Sequence, residues 1–287
     1  MSDGLLLFWF FAMGAAIGSF LNVCIARWPL EQSVIRPPSR CPNCETPIKW
    51  YDNVPILAWA WLRGKCRNCG ASISVVYPAV ELAVALGWLA CALTWGPSLT
   101  AVRVAVFGTI MLGISITDAK HYVIPDGFTV FGLLFVLAFS IWSGLRGELT
   151  PFAMPWDAVV GACAGAGAIA IIGWLGEVVL KKEAMGFGDV TLMAVIGAAL
   201  GPGRSLLVIF LGAAVGAISF LLVVYPIVRW RVIRGADGAQ IELPLGARKA
   251  TLPQVPFGVF LAPAAVLALV FGQRLLDWYM GQLTGVS

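Results

Sequence analysis

The chain has 287 residues, of which 60% are hydrophobic and only 12% are charged, with a formal net charge of +4. An ordinary soluble domain carries about 25% charged residues, so this charge content and a mean hydropathy of +0.88 exclude that class. Long apolar stretches recur and none shows the alternating pattern of barrel strands. The sequence therefore predicts an all-α polytopic membrane protein.

Eight apolar segments are predicted, and they lie near residues 5–26, 77–95, 99–117, 128–145, 157–180, 190–200, 205–228 and 256–280. The first has no basic region before it, which indicates a retained membrane helix rather than a signal peptide. Seven segments are long enough to span a bilayer. The sixth, Val190 to Leu200, is too short to cross about 30 Å of hydrocarbon as a regular helix. It requires local thinning of the membrane or irregular backbone around residues 186–189.

Basic residues favour about eight crossings with the N-terminus outside. With that topology the Lys and Arg residues fall in inner loops, except Arg103, Arg146, Arg204 and Arg274. If the sixth segment did not cross, the basic residues between 229 and 249 would move outside, against the positive-inside rule. The predicted division is a first transmembrane helix at 1–28, a cytoplasmic insert at 29–76 and a seven-helix core at 77–287. The core includes a polar cytoplasmic loop at 229–255.

The insert contains two Cys-x-x-Cys pairs, formed by Cys41, Cys44, Cys66 and Cys69. Two such pairs supply four thiolates for a tetrahedral Zn²⁺, and disulfides are rare on the cytoplasmic side. Four protein ligands leave no open coordination position, so the predicted zinc is structural. The other three cysteines lie in apolar segments and are predicted to pack in the core as small hydrophobes; they are Cys24, Cys91 and Cys163.

Two aspartates lie where a helix is predicted to meet the inner interface. Asp118 ends the third segment, and Asp189 follows Gly186 and Gly188 ahead of the sixth. If the two carboxylates meet they cannot both ionise easily, so one holds a proton while the other is a base. That arrangement activates a water and protonates a leaving amine. The two glycines allow close backbone approach and unusual dihedrals. The residues alone leave open a proton relay inside a transporter.

Three other polar residues near this interface have simpler interpretations. Asp126 follows Pro125, and an aspartate in the first turn of a helix favours the helix dipole. His121 is the only histidine in the chain and is predicted to be a surface or packing residue. Glu81 is predicted to be a charge at the rim of the bundle, near the proposed site.

The ordered combination of motifs resembles the type IV prepilin peptidases, which are bacterial intramembrane aspartic proteases. The resemblance rests on the Gly-x-Gly-Asp sequence ending at Asp189 and on Asp118 ahead of an Ile-Pro-Asp turn. It extends to the stretches "GSFLNVCIARWP", "SRCPNC", "WYDNVPILAW", "LRGKCRNCG", "VYPAVEL" and "VPFGVFLAPAA". The resemblance implies that Asp118 and Asp189 are catalytic. Some members have a further aspartate two positions after the first, and Lys120 stands there in this chain.

The resemblance also implies an activity and a location. It implies cleavage of type IV prepilins and type II secretion pseudopilins after a glycine that ends a short basic leader. The site would face the cytoplasm in the bacterial inner membrane, where the Gly186–Gly188 backbone would pass close to an extended substrate strand. Many members then methylate the new N-terminal amine with S-adenosylmethionine, although the sequence indicates no methyl-donor site.

The predicted partners are prepilin and pseudopilin substrates, membrane lipid and the pilus or type II secretion assembly machinery, with no nucleic acid. Three alternatives stay open. One is a Gly-x-Gly-Asp peptidase without methyltransferase activity, and another is a proton-coupled transporter that uses the aspartate pair. The third is a non-enzymatic assembly factor whose zinc insert docks partners.

Overall fold

The structure is a computed structural model that describes residues 3–181, 185–226 and 256–284. The predicted polar loop at 229–255 lies outside the described residues. Those residues form nine α-helices and no strand, only two isolated β-bridges. We number the helices α1 Asp3–Arg27, α2 Leu57–Trp61, α3 Val76–Trp95, α4 Leu99–His121, α5 Asp126–Arg146, α6 Pro155–Leu180, α7 Phe187–Leu200, α8 Pro202–Ser219 and α9 Gly258–Thr284.

The predicted all-α membrane fold is confirmed. All helices of the described part except α2 and α7 are long and apolar enough to cross a membrane, which makes seven candidate spans. Large apolar side chains point outward from them, among them Phe8, Trp9 and Leu134. Outward apolar side chains suit a lipid solvent, and helices suit it because they satisfy their backbone hydrogen bonds internally.

Helix α7 is the short sixth segment, and it lies at the centre of the bundle. It has 14 residues, which is about 21 Å at the rise of an α-helix and short of a bilayer's hydrocarbon thickness. Most of its length, including Leu192, Met193 and Val195–Leu200, is buried. It packs against α5, α6, α8 and α9. A short helix is acceptable here because protein, and not lipid, surrounds it.

Glycines set the distance between α6 and α7. A Cβ atom on Gly161 would overlap the carbonyl oxygen of Gly197, and one on Gly197 would overlap the carbonyl oxygen of Gly161. One turn further along α6, a Cβ on Gly165 would lie 2.6 Å from the Met193 carbonyl oxygen. This small-xxx-small pattern lets two membrane helices touch through their backbones. The position of α7 is therefore fixed by backbone contact with α6.

Contacts between helix ends show that α7 runs from one face of the bundle to the other. At one face, Asp118 near the end of α4 accepts a hydrogen bond from Val259 at the start of α9. Ile124 lies against Gly188 in the first turn of α7 at this same face. At the opposite face, the Ala153 amide donates to the carbonyl oxygen of Ala199, near the end of α7, over 2.8 Å. Helix α7 therefore begins at the face where α4 ends and α9 begins, and it ends at the opposite face.

The segment between α1 and α3 forms the small insert, with α2 as its one short α-helix. The predicted boundaries of the divisions 1–28, 29–76 and 77–287 stay predictions. The expectation of a buried cysteine is correct for Cys24 and wrong for Cys163, which is exposed. Cys163 lies between Gly161 and Gly165 in sequence, and because those glycines face α7, a residue two positions on points away from it.

A substitution of Gly161 tests the backbone contact. In Gly161→Ala the new methyl group collides with the Gly197 carbonyl, so α7 must shift and the protein loses about 1–3 kcal/mol of stability, as overpacking does. Gly167→Ala, on the same helix, is the control, since its Cβ would meet no atom within 4 Å. Thermal unfolding in detergent should show a lower midpoint for Gly161→Ala alone. Equal midpoints for both variants would contradict the packing.

Candidate active site

Asp118 is a buried carboxylate in the last turn of α4, only 5% exposed. Its Oδ2 atom accepts a hydrogen bond of 3.2 Å from the Val259 amide, and the Gly258 amide also interacts with the carboxylate. Helix α4 ends just beyond it, where Tyr122 adopts a left-handed φ of 56° and its amide donates to the Asp118 carbonyl. The start of α9, with its free amides and positive dipole end, thus faces this acid.

Asp189 lies in the first turn of α7 and is half-buried. Its amide donates to the Gly186 carbonyl over 3.1 Å. Gly186 has φ −77° and ψ 154°, an extended backbone that any residue adopts, and Gly188 is helical. Unusual dihedrals therefore do not explain the two glycines. Close packing explains Gly188, because a Cβ there would lie 3.0 Å from the Ile124 Cβ.

The two aspartates are brought to one place by the ends of three helices. Ile124, just after α4, contacts Gly188 on α7, and a Cβ on Gly258 of α9 would lie 3.1 Å from its Cδ1 atom. A Cβ on Gly258 would also lie 2.8 Å from Oδ2 of Asp118, and Asp189 directly follows Gly188, so both aspartates lie beside Ile124. Two interacting carboxylates behave as a coupled pair. Such a pair provides an acid and a base at one position, which is what hydrolysis of an amide needs.

Gly258 is a site residue that the sequence reasoning did not single out. A Cβ on Gly258 would lie 2.8 Å from Oδ2 of Asp118, so only glycine lets the start of α9 approach the carboxylate this closely. The only sign of Gly258 in the sequence was that a glycine stands at the start of the last apolar segment. That signal carries no information about Asp118, which lies 140 residues earlier in the numbering.

The other carboxylates near this face do not join the pair. Asp126 is exposed in the first turn of α5, where its charge favours the helix dipole. His121 is exposed as well. Glu81 was expected at the rim, and that expectation is wrong. It is buried, and its Oε2 accepts a 2.7 Å hydrogen bond from the Ile56 amide, because the insert folds down over the start of α3.

The four insert cysteines form one cluster. Their Sγ atoms all lie within 4.8 Å of one another, and those of Cys41 and Cys69 are 3.8 Å apart. Tetrahedral Zn–S bonds of about 2.3 Å require sulfur atoms roughly 3.8 Å apart. The cluster therefore has the donor set and the size for a zinc ion, which Cys41, Cys44, Cys66 and Cys69 would hold in a structural role.

The two cysteine pairs are built to the same pattern. The Cys41 amide donates to Thr46 and the Cys66 amide to Ala71, each five residues ahead. The asparagine within each pair donates a hydrogen bond to a cysteine of the other pair. The Asn43 side chain donates to Sγ of Cys69 over 3.6 Å, and the Asn68 side chain donates to Sγ of Cys44 over 3.7 Å. Hydrogen bonds of this kind orient metal ligands and tune their basicity.

Hydrogen bonds around Cys44 and Cys66 favour the thiolate form that binds metal. The Thr46 side chain and backbone lower the pKa of Cys44 to about 6. The backbone amides of Cys69 and Asn68 lower the pKa of Cys66. A salt bridge outside the cluster supports the second pair, since Arg67 binds both carboxylate oxygens of Asp52 at 2.6–3.0 Å and lowers the pKa of Asp52.

Comparison with known proteins identifies similar sequences across most of the chain. Residues 12–95 match the family model of the bacterial peptidase A24 N-terminal domain, and residues 105–221 match that of the type IV leader peptidase family. The first match contains the insert. The second contains both Asp118 and Asp189. No solved structure matches significantly.

Several curated relatives carry related names. A prepilin leader peptidase/N-methyltransferase of Aeromonas hydrophila is 31% identical over 94% of this chain and 92% of the relative. A protein of the same name from Myxococcus xanthus is 39% identical over 66% of this chain, and this match spans only 55% of that relative. A type 4 prepilin-like proteins leader peptide-processing enzyme of Escherichia coli is 37% identical over 66% of this chain and 75% of the relative.

Gly258→Ala tests the close approach of α9 to Asp118. The added methyl group displaces the carboxylate, and displacements of about 1 Å at a reacting group can lower rates about 100-fold. We expect a loss of peptidase activity of that order with the protein still folded. Gly87→Ala on α3 is the control, because its Cβ would meet no atom within 4 Å. Full activity of Gly258→Ala would show that the contact has no part in positioning Asp118.

Asn68→Ala tests the metal centre without removing a ligand. Loss of the hydrogen bond to Cys44 should weaken zinc binding about tenfold, and Cys66→Ser should weaken it further because one of four thiolates is lost. Asn53→Ala, elsewhere in the insert, should change nothing. Competition with a chromogenic zinc chelator measures all three. Wild-type affinity in Cys66→Ser would rule out the assigned ligand set.

Proposed function

Because the chain belongs to the type IV leader peptidase family, a family of aspartic proteases, we propose that Asp118 and Asp189 cleave the leader peptides of type IV prepilins. The observation that carries the proposal is that the end of α4, which bears Asp118, and the start of α7, which bears Asp189, lie together around Ile124. Type II secretion pseudopilins are proposed as further substrates. Cleavage follows a glycine at the end of a short basic leader.

The reaction needs only the two carboxylates and one water. The ionised carboxylate takes a proton from the water, whose oxygen attacks the scissile carbonyl carbon, while the protonated carboxyl gives its proton to the carbonyl oxygen. Collapse of the tetrahedral intermediate breaks the C–N bond; the leaving amine takes the proton that the first carboxylate received from the water, and a hydroxyl of the intermediate returns its proton to the second. Val259 and Gly258 hold Asp118 during these steps. Exposed Gly186 lies at the edge of the pair, where we propose that it and Gly188 let the substrate strand pass.

The pair lies at the face of the bundle that also carries the insert, since both α1 and α4 end there. Basic residues concentrate in the loops of that face, which the positive-inside rule assigns to the cytoplasm. We therefore propose a multi-pass protein of the bacterial inner membrane with its N-terminus outside. A substrate with a cytosolic basic leader and an apolar mature helix presents its scissile bond at this depth.

A second activity is proposed from the relatives named prepilin leader peptidase/N-methyltransferase. Cleavage frees an N-terminal amine, and that amine is the group that S-adenosylmethionine would methylate. Zinc at the four cysteines would give the insert its fold, because so small a segment has little hydrophobic core. Contacts with the pilus or type II secretion machinery are proposed on the nature of the substrates alone.

The alternatives make different predictions about the aspartates. A proton-coupled transporter would show pH-dependent flux and no peptide cleavage, whereas an assembly factor would tolerate loss of either acid. The family assignment disfavours both. A peptidase without methyltransferase activity would leave the new N-terminal amine unmodified.

Replacement of either aspartate tests the proposed peptidase. Asp118→Asn and Asp189→Asn each remove one ionisable carboxyl group while preserving shape, so cleavage of a purified prepilin in detergent should fall at least about 100-fold. Asp126→Asn is the matched control, since Asp126 is an exposed acid at the same face and its loss should leave cleavage intact. Cleavage at the wild-type rate by either of the first two variants would overturn the assignment.

A further inference from the structure

A large cavity lies between the insert and the adjoining ends of α1 and α3. Its volume is about 830 Å³, and its wall combines Ser19 and Asn22 of α1, Tyr77 and Glu81 of α3, and Trp59 of the insert. This volume is within the range of small-molecule sites, which often form where two units of a protein meet. None of its wall residues belongs to α4, α7 or α9. The cavity is therefore separate from Asp118 and Asp189, although it lies at the same face.

The buried carboxylate of Glu81 is on the wall of this cavity. Its hydrogen-bond donor is the uncharged Ile56 amide at 2.7 Å. No ion pair of Glu81 occurs in the part of the chain that the structure describes. A buried carboxylate without a cationic partner is costly. A cationic ligand in the cavity would supply the missing charge.

The backbone that holds Glu81 is strained. Ile56 has φ 62° and ψ −53°, and the Leu57 amide donates to the Pro55 carbonyl over 2.6 Å. This is a γ-turn of the rare form with positive φ, and a β-branched residue is especially unfavourable there. Such strain persists where the surroundings enforce it and collects at ligand sites. Here it turns the Ile56 amide toward Glu81.

The rest of the wall suits a ligand that also carries a carboxylate and an aromatic base. Arg27, Arg40, Lys49 and Arg67 line the cavity together with Asp52. Asp52 forms a bidentate pair with Arg67, so Arg27, Arg40 and Lys49 leave the wall with an excess of positive charge. Trp59 and Tyr77 add aromatic surface, which favours both stacking and the binding of cations.

We infer that this cavity binds S-adenosylmethionine, with the positive sulfonium group toward Glu81. This inference rests on the proposed N-methylation. In the transfer, the amine nitrogen of the cleaved substrate bonds to the methyl carbon. The S–CH₃ bond breaks with its electrons left on sulfur, and the new ammonium releases a proton to water. The donor becomes an uncharged thioether. A carboxylate beside the sulfur therefore binds the methyl donor more tightly than the spent product.

Glu81→Gln tests the charge at this site. Glutamine keeps an oxygen acceptor for the Ile56 amide and removes the negative charge, so the insert stays in place. We expect the Kd for S-adenosylmethionine to rise about tenfold, as loss of one charged interaction gives. The Kd for S-adenosylhomocysteine, the thioether, should change less than threefold. Equilibrium dialysis of the purified full-length protein measures both constants.

Two further variants make the test decisive. Glu177→Gln replaces an exposed glutamate on α6 and should bind both ligands like wild type. Ser19→Trp fills the cavity and should abolish binding of both ligands. This variant tests whether the cavity is the binding site even if Glu81→Gln fails to fold. Wild-type protein that binds neither ligand would overturn the proposed methylation together with this inference. Wild-type affinities in Glu81→Gln and Ser19→Trp, in protein that binds and methylates normally, would overturn this inference alone. Equal weakening of both ligands by Glu81→Gln would overturn the assigned role of its charge.

Discussion

The face of the bundle that carries Asp118 and Asp189 depends on a helix that is too short to cross a membrane by itself. Helix α7 has 14 residues, and lipid around it would leave its ends mismatched. The structure instead surrounds it with other helices and sets it against α6 through Gly161 and Gly197. Asp189, in the first turn of α7, lies half-buried in protein. The end of α4, which carries Asp118, and the start of α9 lie beside it at the same face.

The two proposed reactions share one face of the bundle, and their chemistry gives a reason. Cleavage produces the amine that methylation consumes, so a product released at the Asp118–Asp189 pair has no membrane to cross before it reaches the cavity beside Glu81. The insert contributes one wall of that cavity, and a zinc ion at its four cysteines would hold its shape in place of a hydrophobic core. A structural metal would thus support the second reaction without touching its reactants.

Much of this architecture could be predicted from the sequence because it depends on patterns within short segments of the chain. Apolar length predicted the membrane helices, including the short sixth one, and the spacing of the cysteines predicted the cluster. The contact of Gly258 with Asp118 could not be predicted, since it joins distant segments and a lone glycine signals no partner. Burial of Glu81 was missed because it depends on how the insert folds over α3. The outward position of Cys163 followed from which side of α6 packs on α7, and composition cannot show that.

Mass spectrometry of the N-terminus of a co-expressed prepilin tests the central claim most directly, because it reports cleavage and methylation on one molecule. With the wild-type protein we predict a shortened pilin with a methylated terminal amine. With Asp118→Asn or Asp189→Asn, present in the membrane at normal abundance, we predict the full-length precursor. A shortened pilin in the presence of either variant would contradict the account that this carboxylate pair cleaves the substrate.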